Sequence, residues 1–270
     1  MKQFILNREP DKDGIIRLED KDYRYLIRVR RLAAGEFFTA LLPNGEKTTV
    51  QVLSADRRVL TGKCNTPENV IKSEENGITP PIILFQALPK GDKMDLIVRQ
   101  AAESGISSII PFISRFSVAK TGSDGQKPAR WERIIKEARQ QSGSGTPTAI
   151  ENPLTISGLF DYWEKIRLNT RQENGAVGLL FHHLNLDDGS PLEHKSLHGY
   201  LNNIPAVVAL VIGPEGGFSE SEVSDFQTKG FKPVTIGKNI LRTETAALYF
   251  TAAVRIILLE RNSWELKQAR

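Results

Sequence analysis

Short apolar runs alternate with amphipathic stretches over the last two thirds of the chain. A continuous run of apolar and β-branched residues is typical of a strand that is covered on both faces of a parallel sheet. Such runs occupy Ile82–Leu88, Ser108–Ile113, Val177–Phe181, Ala206–Ile212 and Val234–Ile236. Predicted helices occupy Asp92–Ser104, Pro128–Gln141, Ile156–Leu168 and Thr243–Glu260. Strands that alternate with helices predict an α/β domain with a parallel sheet and helices on both faces.

The start of the chain has a different pattern, which predicts a small β-rich domain. Two alternating stretches, Glu36–Leu42 and Lys47–Leu53, flank a Pro-Asn-Gly turn, which is a strong hairpin signal. The polar stretch Thr66–Pro81 contains proline and glycine and indicates a connection between domains. We therefore predict a first domain over residues 1–72, a linker over 73–81 and a second domain over 82–270.

Glycine-bearing turns follow the last two predicted strands. Gly213–Gly217 reads GPEGG and precedes a capping box formed by Ser219 and Glu222, and Gly237 follows the next strand. Ligands bind where the carboxyl ends of parallel strands gather, and glycine lets the backbone approach them closely. Either turn alone is explained as an ordinary strand–helix connection. Because the second turn leads into Arg242–Thr245, the pair predicts a ligand site.

Composition and charge narrow the class of protein. The 270 residues are 40% hydrophobic and 25% charged, which is typical of a soluble globular chain. A net charge of +4 is compatible with a nucleic-acid partner but does not establish one. The single cysteine, Cys64, excludes an internal disulfide and suits a reducing cytosol. No signal peptide and no apolar run near the ~20 residues of a membrane span is evident, so we predict a cytoplasmic protein.

Most of the net positive charge lies at the start of the chain. Residues 1–31 contain nine Lys and Arg against six Asp and Glu. In a predicted helix over Asp22–Leu32, Arg24, Arg28 and Arg31 are spaced i, i+4 and i+7 and would form one basic stripe. The stripe is either a solvated helix face or a surface that contacts RNA phosphates, and charge alone leaves both interpretations open.

Two segments of the second domain resemble a known family. Gly213–Val223 (GPEGGFSESEV) and Ile240–Ala246 (ILRTETA) resemble the SPOUT methyltransferases, specifically the RsmE family, which methylates N3 of a uridine in 16S ribosomal RNA. The resemblance, weaker elsewhere, extends over essentially the whole chain. It implies a PUA-like RNA-binding barrel, then a knotted SPOUT domain that holds S-adenosylmethionine, in a homodimer. Composition and periodicity do not indicate a knot, and ordinary topology rules argue against one.

The same resemblance implies the residues of the site. It favours RNA binding by Arg8, Arg24, Arg28 and Arg31, and by Lys90 and Lys93 in the segment KGDKM. No metal site is predicted, because His194 and His198 have i, i+4 spacing but no third ligand. The implied cofactor pocket comprises Phe181, His182, Ile212, Gly213, Pro214, Glu215, Gly216, Gly217, Ile236, Gly237, Asn239, Ile240, Leu241 and Thr245.

The chemistry that the resemblance implies suggests two catalytic candidates. Uracil N3 is nucleophilic only as its anion, so the site should stabilise negative charge on the flanking carbonyl oxygens. Arg242 is the candidate for that electrostatic role. Glu244 is a candidate to accept the proton, although a carboxylate at this position also serves to stabilise the helix start.

Three departures from the family pattern keep a second function open. Gln100, Asn239 and the segment Gln140–Pro147 stand where the family commonly has basic residues. Each missing cation weakens contact with RNA phosphates rather than cofactor binding. The alternative is therefore a non-catalytic RNA-binding or ribosome-assembly module. A P-loop or Rossmann nucleotide enzyme is disfavoured. The sequence contains neither the P-loop motif GxxxxGK[ST] nor a GxGxxG motif after a predicted strand.

Overall fold

The computed structural model describes most of the chain, and the described part divides into two units. The first unit is built from the described residues of Met1–Asn76 and Arg139–Pro147, and the second from those of Gly77–Ala138 and Thr148–Arg270. Most of the predicted linker, residues 73–78, lies outside the described part. The described residues are 3–56, 58–65, 79–117, 127–170, 175–182, 196–235 and 239–268, of which 127 and 262–268 are described by their backbone alone.

In the first unit, the described strands form a five-stranded sheet over a small apolar core. They are β1 (Phe4–Ile5), β2 (Ile15–Leu18), β3 (Phe37–Leu41), β4 (Lys47–Asp56) and β5 (Val59–Asn65). The strand order is β1-β3-β4-β5-β2, and only the β1–β3 pair is parallel. The predicted hairpin is confirmed, because β3 and β4 pair antiparallel on either side of the Pro-Asn-Gly turn. Leu26 and Phe38 pack with Phe4 and Leu60 in the core.

The predicted basic helix of the first unit has an unexpected geometry. A short helix, α1 (Asp20–Tyr23), continues into a π-helical turn over Arg24–Val29. The backbone N–H of Arg30 donates to the carbonyl of Tyr25 at 3.0 Å, a step of five residues. A π-helical turn is wider than an α-helical one, so the prediction of a regular α-helical stripe is wrong. The arginines at 24, 28 and 31 are nevertheless exposed.

The second unit alternates strands and helices, as predicted. Its strands are β6 (Ile82–Ala87), β7 (Ser108–Ile113), β8 (Ala149–Ile150), β9 (Leu154–Thr155), β10 (Ala176–Phe181), β11 (Val207–Ile212) and β12 (Lys232–Val234). Its helices are α2 (Lys93–Glu103), α3 (Lys127–Ser142, in this unit up to Ala138), α4 (Ile156–Asn169), α5 (Leu197–Tyr200), α6 (Glu220–Thr228) and α7 (Thr243–Gln268).

These strands form one parallel sheet that is covered on both faces. The order is β12-β10-β11-β6-β7-β8, and β9 also pairs with β7. One face is packed by α2, α3 and α7, through residues such as Ile97, Trp131 and Phe250. The other is packed by α4 and α6, through residues such as Trp163 and Phe226. The structure therefore confirms the predicted α/β class with a parallel sheet.

One boundary near the glycine turns differs from the prediction. The short strand β12 begins at Lys232 and ends at Val234, whereas the prediction placed this strand over Val234–Ile236. The helix α7 begins at the predicted residue, Thr243, whose hydroxyl bonds to the glycine turn as described below. No helix in the described ranges combines the length and the apolar character that crossing a membrane requires.

Candidate active site

A cavity of about 480 Å³ lies where β10, β11 and β12 end. Its walls come from the end of β10 at Phe181, the glycine turn after β11, and the segment Asn239–Thr243 that leads into α7. Cavities of this size bind cofactors and other small molecules, and they commonly combine an apolar lining with a few polar groups. The position agrees with the rule that ligands bind beyond the carboxyl ends of parallel strands.

Most of the predicted cofactor residues line this cavity. Thr245 does not line it; this residue lies on the exposed side of the first turn of α7. Ile236 and Gly237 lie outside the described residues. The predicted residues in the lining are Phe181, His182, Ile212, Gly213, Pro214, Glu215, Gly216, Gly217, Asn239, Ile240 and Leu241.

Further lining residues were missed by sequence reasoning. The Phe250 ring, two turns into α7, stacks on Phe181 with 3.9 Å between ring centroids and an interplanar angle of 13°. Apolar periodicity predicted that Phe250 is in a helix, but it gave no signal that this ring reaches the end of β10. The lining residues that were not predicted are Phe218, Val234, Thr235, Thr243, Ala246 and Phe250.

The glycine turn has a conformation that depends on Gly217. This residue has a φ of +68°, in the left-handed region that favours glycine. Its N–H donates to the carbonyl of Pro214 at 3.0 Å, which closes the turn. At the other end, a Cβ placed on Gly213 would lie 3.2 Å from the Phe218 ring and 3.4 Å from the Gly217 Cα. Space is therefore limited at Gly213, whereas at Gly217 a Cβ would meet nothing within 4 Å and the backbone conformation alone favours glycine.

A buried polar relay ties this turn to α7. Gln86 is fully buried near the end of β6, and its side-chain amide donates to the Thr243 hydroxyl at 3.0 Å. The Thr243 hydroxyl donates in turn to the Gly213 carbonyl at 2.7 Å. Burying an amide in an apolar core is unfavourable unless it is hydrogen-bonded, and the Oε1 atom of Gln86 has no partner among the described residues. The relay fixes Arg242, the neighbour of Thr243, relative to the glycine turn.

An ion-pair network lies beside the turn, on the outer side of the α7 start. The Lys93 ammonium is 2.6 Å from a Glu215 carboxylate oxygen and 3.7 Å from Oε2 of Glu244. The Lys90 N–H also donates to both Glu215 oxygens, at 3.2 and 3.3 Å. Oε2 of Glu244 is inaccessible to solvent and has no hydrogen-bond partner among the described residues. Lys93 therefore bridges the carboxylates of the glycine turn and the α7 start.

The shifted pKa values of Lys93 and Glu215 both favour the charged form of the side chain. The hydrogen bond to Glu215 raises the pKa of Lys93 above its usual value. Partial burial raises the pKa of Glu215, but the hydrogen bonds from Lys93 and from backbone N–H groups outweigh it, and the net shift of the pKa is downward. The ion pair is thus complete at neutral pH. Its contribution is lost when pH falls through the lowered pKa of Glu215 or rises through the raised pKa of Lys93.

A second carboxylate anchors the other end of the turn. Glu222, only 7% exposed, accepts hydrogen bonds from the Ser219 N–H at 2.9 Å and from the Arg115 N–H at 2.7 Å. The first bond is part of the predicted capping box of α6, which is confirmed. The second ties the turn after β7 to the same helix start. Carboxylates therefore anchor the glycine turn on both sides.

The remaining predicted residues divide between the two units. Arg242 lines the cavity, whereas Glu244 does not and faces Lys93. Lys90 is exposed at the end of β6, and in the first unit Arg8 and the predicted stripe arginines are exposed. His194 lies outside the described residues. Within the described ranges, no group of three His, Cys, Asp or Glu side chains is arranged to hold a metal ion.

Comparison with known proteins identifies the class to which this fold and cavity belong. A family model described as an RNA methyltransferase domain matches residues 77–255, more than half of the chain. This chain is therefore a member of the RNA methyltransferases. The ribosomal RNA small subunit methyltransferase E of Synechocystis is 32% identical over 258 residues, with 95% of this chain and 78% of that protein covered. The chain belongs to the ribosomal RNA small subunit methyltransferase E family, which confirms the resemblance.

Further relatives agree with this assignment. The enzyme of the same name from Aquifex aeolicus is 30% identical over 246 residues and is covered over 95% of its length. The crystal structure of a ribosomal RNA small subunit methyltransferase E from Neisseria gonorrhoeae, bound to S-adenosyl methionine, has a TM-score of 0.73 and 24% identity, with 95% of this chain and 98% of that chain covered. At this identity the structural likeness supports the fold.

Proposed function

We propose that this protein methylates N3 of a uridine in 16S ribosomal RNA, with S-adenosylmethionine as the methyl donor. The observation that carries the proposal is the cavity lined by the glycine turn Gly213–Gly217 and the segment Asn239–Thr243, which includes Arg242. The small-subunit RNA follows from the names of the relatives. The nucleotide position rests on the resemblance at Gly213–Val223 and Ile240–Ala246. Ribosome assembly would place the protein in the cytoplasm.

The cavity suits the proposed methyl donor in size and in chemistry. Apolar side chains such as Ile212, Leu241 and Phe250 suit the flat surfaces of an adenine ring. The backbone of Gly213–Gly217 lies in the cavity lining, and its glycines allow a ligand to approach that backbone closely. When bound, the donor supplies a methyl group on a sulfonium, which is already activated for transfer. The protein then has to orient the reactants, exclude water and stabilise charge.

Arg242 is the proposed electrostatic catalyst. Arg242 lines the cavity, and the polar relay through the neighbouring Thr243 holds its backbone in place. A positive charge fixed at the cavity lowers the free energy of a uracil anion, whose negative charge is delocalised on the two carbonyl oxygens next to N3.

Glu244 is proposed as the group that receives the uracil proton. Its buried Oε2 atom makes no hydrogen bond to any described residue, and Glu244 is two residues from Arg242 in the sequence. The Lys93 ammonium lies 3.7 Å from the same oxygen. Because Glu244 does not line the cavity, the proton would reach it through water or by a change of side-chain rotamer.

The first unit is proposed to be the PUA-like RNA-binding barrel, with the second unit knotted as in other SPOUT enzymes. The five-stranded, mainly antiparallel sheet and its separate apolar core support the barrel. The exposed arginines at 8, 24, 28 and 31 support an RNA-facing surface.

Two observations support the proposed knot in the second unit. Strand β12 pairs with β10, and the Thr243 hydroxyl bonds back to the Gly213 carbonyl, which agrees with a chain that passes beneath its own earlier turn.

Lys90 and Lys93 are expected to respond differently when their charges are removed. Lys90 is exposed, so Lys90→Met should weaken RNA binding and reduce the slope of log Kd against log salt by about 1, as for the loss of one phosphate contact. Lys93 is paired with two carboxylates, so Lys93→Met should leave that slope nearly unchanged and weaken cofactor binding instead. Titrations at several salt concentrations measure both effects. Equal slope changes in the two variants would assign Lys93 to RNA contact.

The test of the proposed reaction is direct. Small ribosomal subunits that contain unmodified 16S RNA are incubated with the protein and S-adenosylmethionine, and the RNA is digested to nucleosides. Mass spectrometry should then detect one 3-methyluridine for each subunit. Calorimetric titration with S-adenosylmethionine is run in parallel. Cofactor binding without any methylated nucleoside would favour the alternative, a non-catalytic RNA-binding or ribosome-assembly module.

A homodimer is proposed through the last helix. Leu248, Tyr249, Ile256 and Leu259 leave an apolar stripe along one side of α7, with Ile256 55% exposed. A stripe of this kind typically marks an interface.

Ile256→Asp is expected to convert the dimer to a monomer, measured by sedimentation at micromolar concentration. Leu168→Asp is the matched control, since Leu168 is 49% exposed on α4, outside the stripe, and should leave the assembly unchanged. A dimer that survives Ile256→Asp would contradict this interface.

A further inference from the structure

Phe116 lies at the edge of the proposed active site without any role in the function described so far. It is in the turn after β7, and its side chain is 43% exposed. It packs against the glycine turn, because a Cβ placed on Gly216 would lie 2.9 Å from the Phe116 Cβ and 3.4 Å from its Cγ. Gly216 also lines the cavity. An exposed aromatic side chain therefore touches the wall of the cavity from outside.

The backbone that bears Phe116 is held in place by several hydrogen bonds. The Ser117 N–H donates to the Ser114 carbonyl at 3.1 Å, and the Ser114 N–H donates to the Ser117 hydroxyl at 3.2 Å. Between them, the Arg115 N–H donates to the buried Glu222 carboxylate at 2.7 Å. Since Glu222 also anchors α6 directly after the glycine turn, the two turns are held together. Phe116 is thus presented in a fixed position while part of its surface faces solvent.

The neighbouring charge suits a nucleic acid. The Arg115 guanidinium lies 5.9 Å from the centroid of the Phe116 ring, close enough for a cation–π interaction. Single-stranded RNA is commonly bound by aromatic rings that stack on bases, with adjacent arginines that contact the backbone. A uridine must leave its stack before N3 is accessible, because stacking and pairing hide its edge. The exposed surface of Phe116 is available for such a base.

We propose that Phe116 is a substrate-binding residue that stacks on a nucleobase of the RNA as it enters the active site. The inference rests on the proposed function and adds a subsite to it. A single exposed aromatic residue needs no special explanation on a protein surface. Phe116 differs in that its turn is anchored by a buried carboxylate and its ring contacts the wall of the cavity.

The experiment compares Phe116→Ala, Phe116→Leu and Phe116→Trp with the wild-type protein. Leucine keeps an apolar contact with Gly216 but has no aromatic face, so it separates stacking from packing. The affinity for fluorescently labelled, unmodified 16S RNA should fall by roughly 10-fold to 100-fold in the alanine and leucine variants and be retained in the tryptophan variant. The affinity for S-adenosylmethionine, the melting temperature and the salt dependence of RNA binding should stay at their wild-type values.

Three other outcomes overturn the proposal. A leucine variant with wild-type RNA affinity would show that Phe116 only packs against the turn. Equal losses of RNA and S-adenosylmethionine affinity would assign Phe116 to the cavity wall, and a wild-type protein with no affinity for the RNA would remove the subsite as well. If the wild type binds RNA but transfers no methyl group, the proposed function fails, and the comparison of RNA affinities still decides the role of Phe116.

Discussion

Replacing Gly217 with valine is expected to abolish binding of S-adenosylmethionine while the protein remains folded. Gly217 adopts a φ of +68°, which costs a β-branched residue on the order of 1–3 kcal/mol. The turn would relax to another conformation and change the wall of the cavity. We expect binding to weaken by on the order of 100-fold or more, measured by calorimetric titration.

The control for this prediction is a glycine with the same backbone conformation away from the cavity. Gly175 has a φ of +70° at the start of β10, and a Cβ there would meet nothing within 4 Å. Gly175→Val carries similar backbone strain, so it should lower the melting temperature and leave cofactor affinity unchanged. If both variants bind with wild-type affinity, the cavity lined by the Gly213–Gly217 turn is not the cofactor site.

The second large effect is expected for Arg242→Gln. Glutamine keeps much of the side-chain volume but removes the charge proposed to stabilise the uracil anion. The loss of one such group typically lowers kcat by about 10²–10³. The affinity for S-adenosylmethionine should change by much less, because Arg242 acts on charge that develops during the reaction. Single-turnover methylation of small subunits, with cofactor affinity measured separately, checks both parts.

Two further variants separate the charge of Arg242 from the shape of its guanidinium and from a general loss of positive charge. Arg242→Lys retains the charge without the planar guanidinium and should recover part of the activity. Arg99→Gln removes a positive charge from an exposed position in α2, away from the cavity lining, and controls for a general loss of charge. If Arg242→Gln raises KM and leaves kcat unchanged, Arg242 contributes to substrate binding rather than to catalysis.

The strand and the glycine turn at the site could be predicted because neighbouring residues alone determine them. A run of apolar residues ending in Gly213–Gly217 can form little other than a buried strand and a tight turn, and the cavity lies where that pattern places it. The family resemblance added Phe181 and His182 at the end of a neighbouring strand. These assignments needed no knowledge of how distant helices pack.

The parts that were missed depend on contacts between distant residues. The ion pair of Lys93 and Glu215 joins residues 122 positions apart, and no local pattern marks the pair. Gln86 stands in an apolar strand, and its role became visible only when Thr243, 157 residues later, was found beside it. The π-helical turn at Arg24–Val29 was missed because an apolar pattern cannot distinguish it from an α-helical turn.

The relay from Gln86 through Thr243 to Gly213 has a consequence for how the last helix moves. The first turn of α7 cannot fray without breaking the bond from Thr243 to the Gly213 carbonyl, and both of these residues line the cavity. Local opening of the helix start and opening of the cavity are therefore one event. A ligand that fills the cavity should slow amide hydrogen exchange at the start of α7 as well as in the glycine turn, because it stabilises only the closed state.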